Sequence, residues 1–230
     1  IDGKLCGLAV WGWGVRPRQT IQHLFNGAVS IDEYVELCRF FVYDWVPKNT
    51  ASRFLSTTHR LIKKYAPHVK VLYTYAAGFQ GLIGTIYQAA NYSYIGKKEC
   101  KAFFYVSGRG LLHAVSLWHH FEGRLGSLSL ANLAQVFPGI KRWHGYNFAY
   151  LYWLCETEEK NRLLKSASFQ ILPYPGKEEL EIWTSDIDGN REIISVDIAK
   201  KIPILHLPTT GTLRKRRAGS IDVDAAGSPA

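Results

Sequence analysis

Val69-Lys70-Val71-Leu72-Tyr73-Thr74-Tyr75-Ala76-Ala77-Gly78-Phe79-Gln80-Gly81-Leu82-Ile83-Gly84-Thr85-Ile86-Tyr87-Gln88-Ala89-Ala90-Asn91 is the stretch whose reading decides the fold. Its first seven residues are β-branched and aromatic, which is the composition of a core strand. Three glycines then break the pattern, and Gly84–Asn91 reads as a short helix before a further strand opens at Tyr92–Ile95. Working back from this stretch, Pro67 ends a helix over Thr50–Tyr65, in which Phe54, Leu55, His59, Leu61 and Ile62 recur at helical spacing. Asn49 or Thr50 is placed to cap that helix. Before it, Tyr34–Tyr43 has the length and apolar content of a buried strand, and Pro47-Lys48-Asn49-Thr50 punctuates the junction. The order strand, helix, strand, helix, strand predicts an α/β fold.

Nearer the start, Ile1-Asp2-Gly3-Lys4 reads as a hairpin turn followed by the strand Leu5–Trp11, with no strand before it. With no methionine anywhere in 230 residues, the expectation is that an N-terminal segment is missing. A loop at residues 12–17 leads into a short helix near Gln19–Phe25.

From Lys97 onward, basic and aromatic residues interleave. Lys97, Lys98 and Lys101 precede Phe103, Phe104 and Tyr105, and Lys141-Arg142-Trp143-His144 precedes Tyr146, Phe148, Tyr150, Tyr152 and Trp153. Leu128–Phe137 reads as a helix, Asn147–Leu154 as a strand, Thr157–Ser166 as a charged helix capped by Thr157, and Ile171–Pro175 as an extended exit. The expected division is a core over residues 1–96, a DNA-contacting α+β portion over 97–210, and a disordered tail over 211–230, where Gly, Ala, Ser and charge dominate.

The 28 Lys and Arg against 19 Asp and Glu leave a formal charge of +9, which favours nucleic acid or another polyanion as partner. No run approaches ~20 apolar residues, so no membrane span is expected. Cys6, Cys38, Cys100 and Cys155 are widely spaced, which fits core thiols in a reducing cytoplasm better than a disulfide framework. Lysines and arginines neutralise phosphates, and aromatic rings stack on bases. On those grounds Lys97, Lys98, Lys101, Arg109, Arg124, Lys141 and Arg142 are the candidate nucleic-acid contacts, although charge alone does not choose between nucleic acid, an acidic membrane and a polyanionic cofactor. The strand, loop and helix start from Tyr34 to Arg53 make a candidate anion site, because free N–H groups and the helix dipole favour negative charge there. Lys48, Ser52 and Arg53 are its candidate ligands. A capped helix with a solvated first turn is the plainer reading of the same pattern.

Three ordered motifs resemble the phage Mom family of DNA adenine-modifying enzymes. They are Glu36-Leu37-x-Arg39 continuing through Pro47-Lys48-Asn49-x-x-Ser52-Arg53-Phe54-Leu55-Ser56, the stretch Thr74–Asn91 with its Gly84-Thr85-Ile86-Tyr87-Gln88-Ala89-x-Asn91, and Leu172-Pro173-Tyr174-Pro175. The resemblance implies an acetyltransferase-like (GNAT) mixed central sheet flanked by helices, without its N-terminal elements and with a basic, aromatic-rich C-terminal extension. It further implies transfer of an acyl or carbamoyl-type group to the N6 amino group of adenine in DNA, shielding a phage genome from restriction in the bacterial host cytoplasm. The donor would be an acyl-CoA such as acetyl-CoA, or another acyl donor. Arg39 and Ser52 match donor-binding positions, and Tyr87 matches the functional tyrosine. From the residues alone, a core aromatic with a satisfied hydroxyl is the favoured reading of Tyr87, and a structural ion pair that of Arg39.

Two departures matter. Ala77 stands where the family has an acidic residue, so Asp44, at the end of the preceding strand, becomes the candidate substitute base. Leu82 stands where a histidine often follows the loop glycine. A His-His-Tyr segment tied to iron dependence would belong to the missing start, and His119-His120 is not its replacement. The competing expectations are a DNA-binding relative that has lost catalysis, and an acetyltransferase-like enzyme acting on a small amine or a protein.

Overall fold

The computed structural model describes residues 3–121 and 127–207. In chain order the elements are β1 (Gly7–Gly12), α1 (Pro17–Phe25), β2 (Tyr34–Val42), α2 (Thr50–Tyr65), β3 (Val71–Ala76), α3 (Thr85–Ala89), β4 (Ser93–Glu99), β5 (Phe103–Val106) and β6 (Gly110–His113). They continue with α4 (Ala114–Phe121), α5 (Leu130–Ala134), β7 (Lys141–His144), β8 (Tyr146–Trp153), α6 (Thr157–Ser166), β9 (Trp183–Ser185), β10 (Arg191–Ile193), α7 (Val196–Ala199) and β11 (Ile204–Leu205). The chain is thus mixed α/β, with two mixed sheets.

Two compact units divide these elements. The first comprises Ile1–Cys100 and Gly145–Ile182, the second Lys101–His144 and Trp183–Ala230. The single cut expected after residue 96 differs from this division: β4 runs through it, and β8 returns to the first unit. The strand expected over Asn147–Leu154 forms as Tyr146–Trp153, but as a central strand of the first unit with Phe148 and Tyr150 fully buried, not as part of a DNA-facing portion. A run that is apolar at successive positions marks a strand covered on both faces. The tail at 211–230, Asp2 of the hairpin turn, and Arg124 lie outside the described residues.

In the first unit the sheet order is β1-β2-β3-β8-β4. Only β2 and β3 run parallel; the other neighbours are antiparallel. Alternation sends Tyr34, Tyr73, Ala149 and Leu151 to one face, where they pack with Ile21, Leu24 and Phe25 of α1 and Leu163 of α6. The other face buries Leu37, Ala76, Phe148 and Tyr150 against Leu55 of α2 and Tyr87 of α3. Lys70, just before β3, holds Glu33 at 2.5 Å and Glu159 of α6 at 2.8 Å, tying strand entry to helix.

Local chemistry explains where several elements start and stop. Pro17 occupies the first turn of α1, where its missing N–H costs nothing. Asn49 stands at the N-cap of α2 in a left-handed conformation (φ 66°), but its side chain accepts no bond; Thr50 Oγ1 donates to Pro47 O instead. Glu156, not Thr157, is the N-cap of α6. Gly84 has a φ of +81°, and a Cβ there would lie 2.6 Å from the Tyr150 ring, so only glycine lets the chain turn into α3 at that spot. The helix expected over Leu128–Phe137 contracts to α5, capped by Ser129 Oγ accepting from Asn132 N, and α4 was not anticipated.

The second unit has the order β10-β9-β7-β5-β6-β11, with a parallel pair only at β6-β11. Phe104, Val106 and Leu112 on one face pack with Leu117 of α4 and Leu133 of α5. Among the described residues no helix is long and apolar enough to cross a membrane.

Candidate functional site

The α2 face of the first sheet is filled by aromatic rings. Tyr87 packs at 5.4 Å from both Tyr92 and Tyr150, and its hydroxyl bonds Thr74 of β3. Burial holds the Tyr87 phenol above its ordinary pKa, so it keeps its proton at neutral pH. Tyr150 donates to Ile83 O and receives a bond from Gln88 Nε2 at 3.2 Å. Its own pKa is pushed up to about 12, chiefly by burial. His59 shares a 2.8 Å hydrogen bond with the Tyr92 hydroxyl and packs on Tyr152, and burial lowers its pKa to about 4. Leu55, one turn into α2, belongs to the same cluster as Tyr87, so the two motifs that bracket β3 in sequence meet in space.

At the edge of that face β2 and β3 part. Their pairing is confined to Tyr34↔Val71, Val35↔Leu72 and Glu36↔Tyr73. Beyond those pairs, residues 37–42 and 74–76 carry on without bridging each other, which opens a wedge in the middle of the sheet. A bulge strengthens the divergence: Val10 pairs with Arg39 and Trp11 with Leu37, leaving Cys38 as the extra residue. Leu37 and Phe40 therefore both face α2, Phe40 lying 5.7 Å from Phe54. Arg39 is turned to the opposite face, exposed, with Nη1 donating to Cys38 O at 2.7 Å.

The sequence-derived donor ligands are thus divided between faces. Ser52, Arg53, Ser56, Thr57, Arg60 and Lys63 of α2 line an open groove of about 700 Å³ together with His59, Ala89, Tyr152 and Leu154. Lys63 is engaged with Glu156 at 3.1 Å, while no ion pair holds Arg53 or Arg60 among the described residues. With no side-chain cap at the α2 N-terminus, a groove of hydroxyls and cations beside it suits a phosphorylated ligand. Lys48 and Asp44 lie exposed in the connection before α2, and among the described residues no hydrogen bond orients the Asp44 carboxylate.

The opposite, α1 face carries groups that sequence reasoning missed. Glu36 is the last paired residue before the strands part, and its Oε2 accepts from the Tyr34 hydroxyl at 3.2 Å. Burial raises the Glu36 pKa, partly offset by that bond. Gly14, at φ +73°, lies so close that a Cβ would fall 2.2 Å from the Glu36 carboxylate, so the backbone after β1 closes over it. Tyr73 and Tyr75 stand beside it with rings 4.7 Å apart and hydroxyls hydrogen-bonded. Beside these tyrosines is a cavity of about 580 Å³ whose floor is Tyr73, Tyr75 and Ala149. Its walls come from Arg16 and α1, from Ile95–Lys98 of β4, and from Ser168 and Phe169. One signal was available: a carboxylate inside the apolar run Tyr-Val-Glu-Leu-Cys-Arg-Phe-Phe-Val.

Of the DNA-contact candidates, Lys97 and Lys98 are in the first unit, whereas Lys101, Arg109, Lys141 and Arg142 are in the second. Lys97 pairs with Glu181 at 3.2 Å and lies over the Tyr146 ring. Lys141 holds Glu192 at 2.6 Å, and Arg142 stacks on Phe104. Lys98 and Arg109 are exposed. Among the described residues no group of three or more His, Cys, Asp or Glu is arranged to hold a metal ion.

Fold and site thus define a mixed α/β protein with a wedge-opened sheet, a basic groove at a helix start and a carboxylate at the vertex. Residues 1–176 match the Mom protein family, and the chain belongs to that family. It is similar to methylcarbamoylase Mom of Escherichia phage Mu, with 26% identity over 179 residues covering 74% of this chain and 67% of the phage protein.

Proposed function

We propose that this chain is a phage-type DNA modification enzyme with an acetyltransferase-like (GNAT) core, transferring an acyl or carbamoyl-type group to the N6 amino group of adenine in double-stranded DNA. The observation that carries this reading is the parting of β2 and β3 beside the uncapped start of α2, in a chain of the Mom family. An acyl-CoA or related donor supplies an activated carbonyl when bound. Ser52, Arg53 and Arg60 bind its phosphates along α2, and Arg39 stands along β2 beyond the point of divergence, on the other side of the wedge. Strand edges left without ladder partners can pair with an extended polyamide arm, which suits a ligand lying in the wedge.

Each functional group has a role set by its surroundings. Tyr87, buried and protonated, positions or protonates the departing group rather than acting as a base. Glu36 takes the place assigned from sequence to Asp44. Its raised pKa makes it a stronger proton acceptor than an ordinary carboxylate, and it stands where β2 and β3 part. Lys98 and Arg109, with Lys101, Arg142 and Arg124, grip phosphates, and the modified DNA resists restriction in the host cytoplasm. A second reading, DNA binding without chemistry, is favoured by Ala77, which puts no carboxylate at the end of β3.

The test is transfer of label from acyl-labelled acetyl-CoA to duplex DNA by the full chain. We expect label on deoxyadenosine, lost in Tyr87→Phe while DNA binding stays near normal. Transfer that survives Tyr87→Phe would remove that residue from the mechanism, and DNA binding without label from this or a carbamoyl donor would select the second reading.

A further inference from the structure

We infer that the cavity on the α1 face is the pocket that receives the adenine nucleotide of the DNA acceptor. The identity of the base rests on the function proposed above; the pocket itself rests on its own geometry. At about 580 Å³ it falls within the size of small-molecule sites. Tyr73, Tyr75 and Phe169 offer aromatic surface to a base, and Thr20 and Ser168 offer hydroxyls to its edge. The cations come from two sides, Arg16 ahead of α1 and Lys98 on β4, and among the described residues neither is held in an ion pair. Among the described residues no carboxylate lines the cavity. An aromatic floor with cations at the rim is the chemistry that takes a single nucleotide, ring inward and phosphates outward. An enzyme acting on a base amino group must draw that nucleotide out of the duplex, so a pocket of this depth is required somewhere.

Its placement adds the second argument. The cavity and the α2 groove lie on opposite faces of one sheet, β2 and β3 part beyond Glu36, and the Tyr73–Tyr75 pair that borders the cavity stands beside Glu36. Acceptor and donor would enter from different sides without competing for space. Coenzyme A also contains an adenine nucleotide, so the same chemistry has two sources, and the assignment here is to the DNA strand.

The measurement is calorimetric titration of the full chain with a short single-stranded oligodeoxynucleotide carrying one adenine, and with the same strand abasic at that position. Stacking of one base should make the adenine strand bind about tenfold more tightly. Thr20→Trp, which fills the cavity, should erase that difference. Lys98→Glu, a surface change that leaves the core intact, should weaken both strands and flatten their salt dependence. Coenzyme A should not displace the adenine strand. A ratio near one in the wild-type chain, a ratio unchanged in Thr20→Trp, or displacement by coenzyme A would overturn the assignment. Adenine binding that Thr20→Trp abolishes, in a chain that modifies no DNA, supports the pocket and counts against the proposed activity. Modified DNA with full adenine binding in Thr20→Trp keeps the activity and removes the pocket.

Discussion

The two faces of the first sheet are built from the same residue types and put them to different use. On the α2 side, Tyr87, Tyr92, Tyr94, Tyr150 and His59 interlock ring against ring, and the hydroxyls of Tyr87, Tyr92 and Tyr150 bond Thr74, His59 and Ile83 within the same packed face. On the α1 side, Tyr73 and Tyr75 stand beside a cavity, with a half-buried carboxylate behind them and cations on its rim. Tyrosines on the α2 face thus pack mainly against one another, Tyr87 among them, whereas Tyr73 and Tyr75 on the α1 face border a cavity. Their neighbours decide which: under α2 and α3 the rings pack against one another and the open groove runs along α2, whereas α1 and α6 leave a cavity against Tyr73 and Tyr75. A filled face is expected to dominate stability, and an incompletely filled one to dominate function.

The largest expected effect is on the open face. Glu36→Gln removes the proton acceptor while keeping size and shape, and should cut the transfer rate by about a hundredfold or more. Its denaturation midpoint should stay equal to or above that of the wild-type chain, because a desolvated carboxylate is removed. An unchanged rate would return the base to another residue. Next is the closed face, where Leu55→Ala empties fully buried volume beneath Tyr87 and should cost about 2–5 kcal/mol. Urea unfolding reads that loss, and a cost below 1 kcal/mol would mean the face is loosely packed.

Smaller, but diagnostic, is the pH dependence of stability. Glu36 holds its proton more tightly folded than unfolded, so its contribution falls as pH rises from the ordinary carboxylate range through its raised folded value. His59 is shifted the other way, from 6.5 to about 4, so the unfolded chain binds the extra proton and stability is lost as pH falls through that window. The two faces therefore respond to acid with opposite sign. Glu36→Gln should make the gain in stability between about pH 4 and 6.5 steeper, and His59→Gln should make it shallower. Thermal midpoints across that range distinguish the cases, and parallel slopes in both variants would end the contrast.

Much of the first sheet could be read from sequence because its strands are long apolar runs bounded by glycine and proline. β2, α2, β3 and α3 fall within a few residues of their expected positions for that reason. What sequence could not supply was sidedness. The bulge at Cys38 turns Arg39 away from α2, and a one-residue slip of this kind leaves no mark in composition. Likewise, Asn147–Leu154, though read as a strand, fell within the expected DNA-contacting portion over 97–210, because aromatics beside Lys141 and Arg142 have the same composition whether they face nucleic acid or fill a core. Long-range pairing of β8 between β3 and β4 settles its place. Glu36 was read only as part of a family motif and not as a site residue, because a lone carboxylate in a strand usually points to solvent; its burial, with the backbone at Gly14 close over it, raises its pKa. Tyr87 was found through a resemblance rather than through its spacing, since five helical residues carry too little periodicity to mark a site.

The most direct test of the account is mass spectrometry of nucleosides from the DNA of cells expressing the wild-type chain and, separately, Glu36→Gln. The account predicts a new, heavier deoxyadenosine with the wild-type chain and none with the variant. An adduct on another base, or the same deoxyadenosine adduct at the same level from both chains, would contradict it.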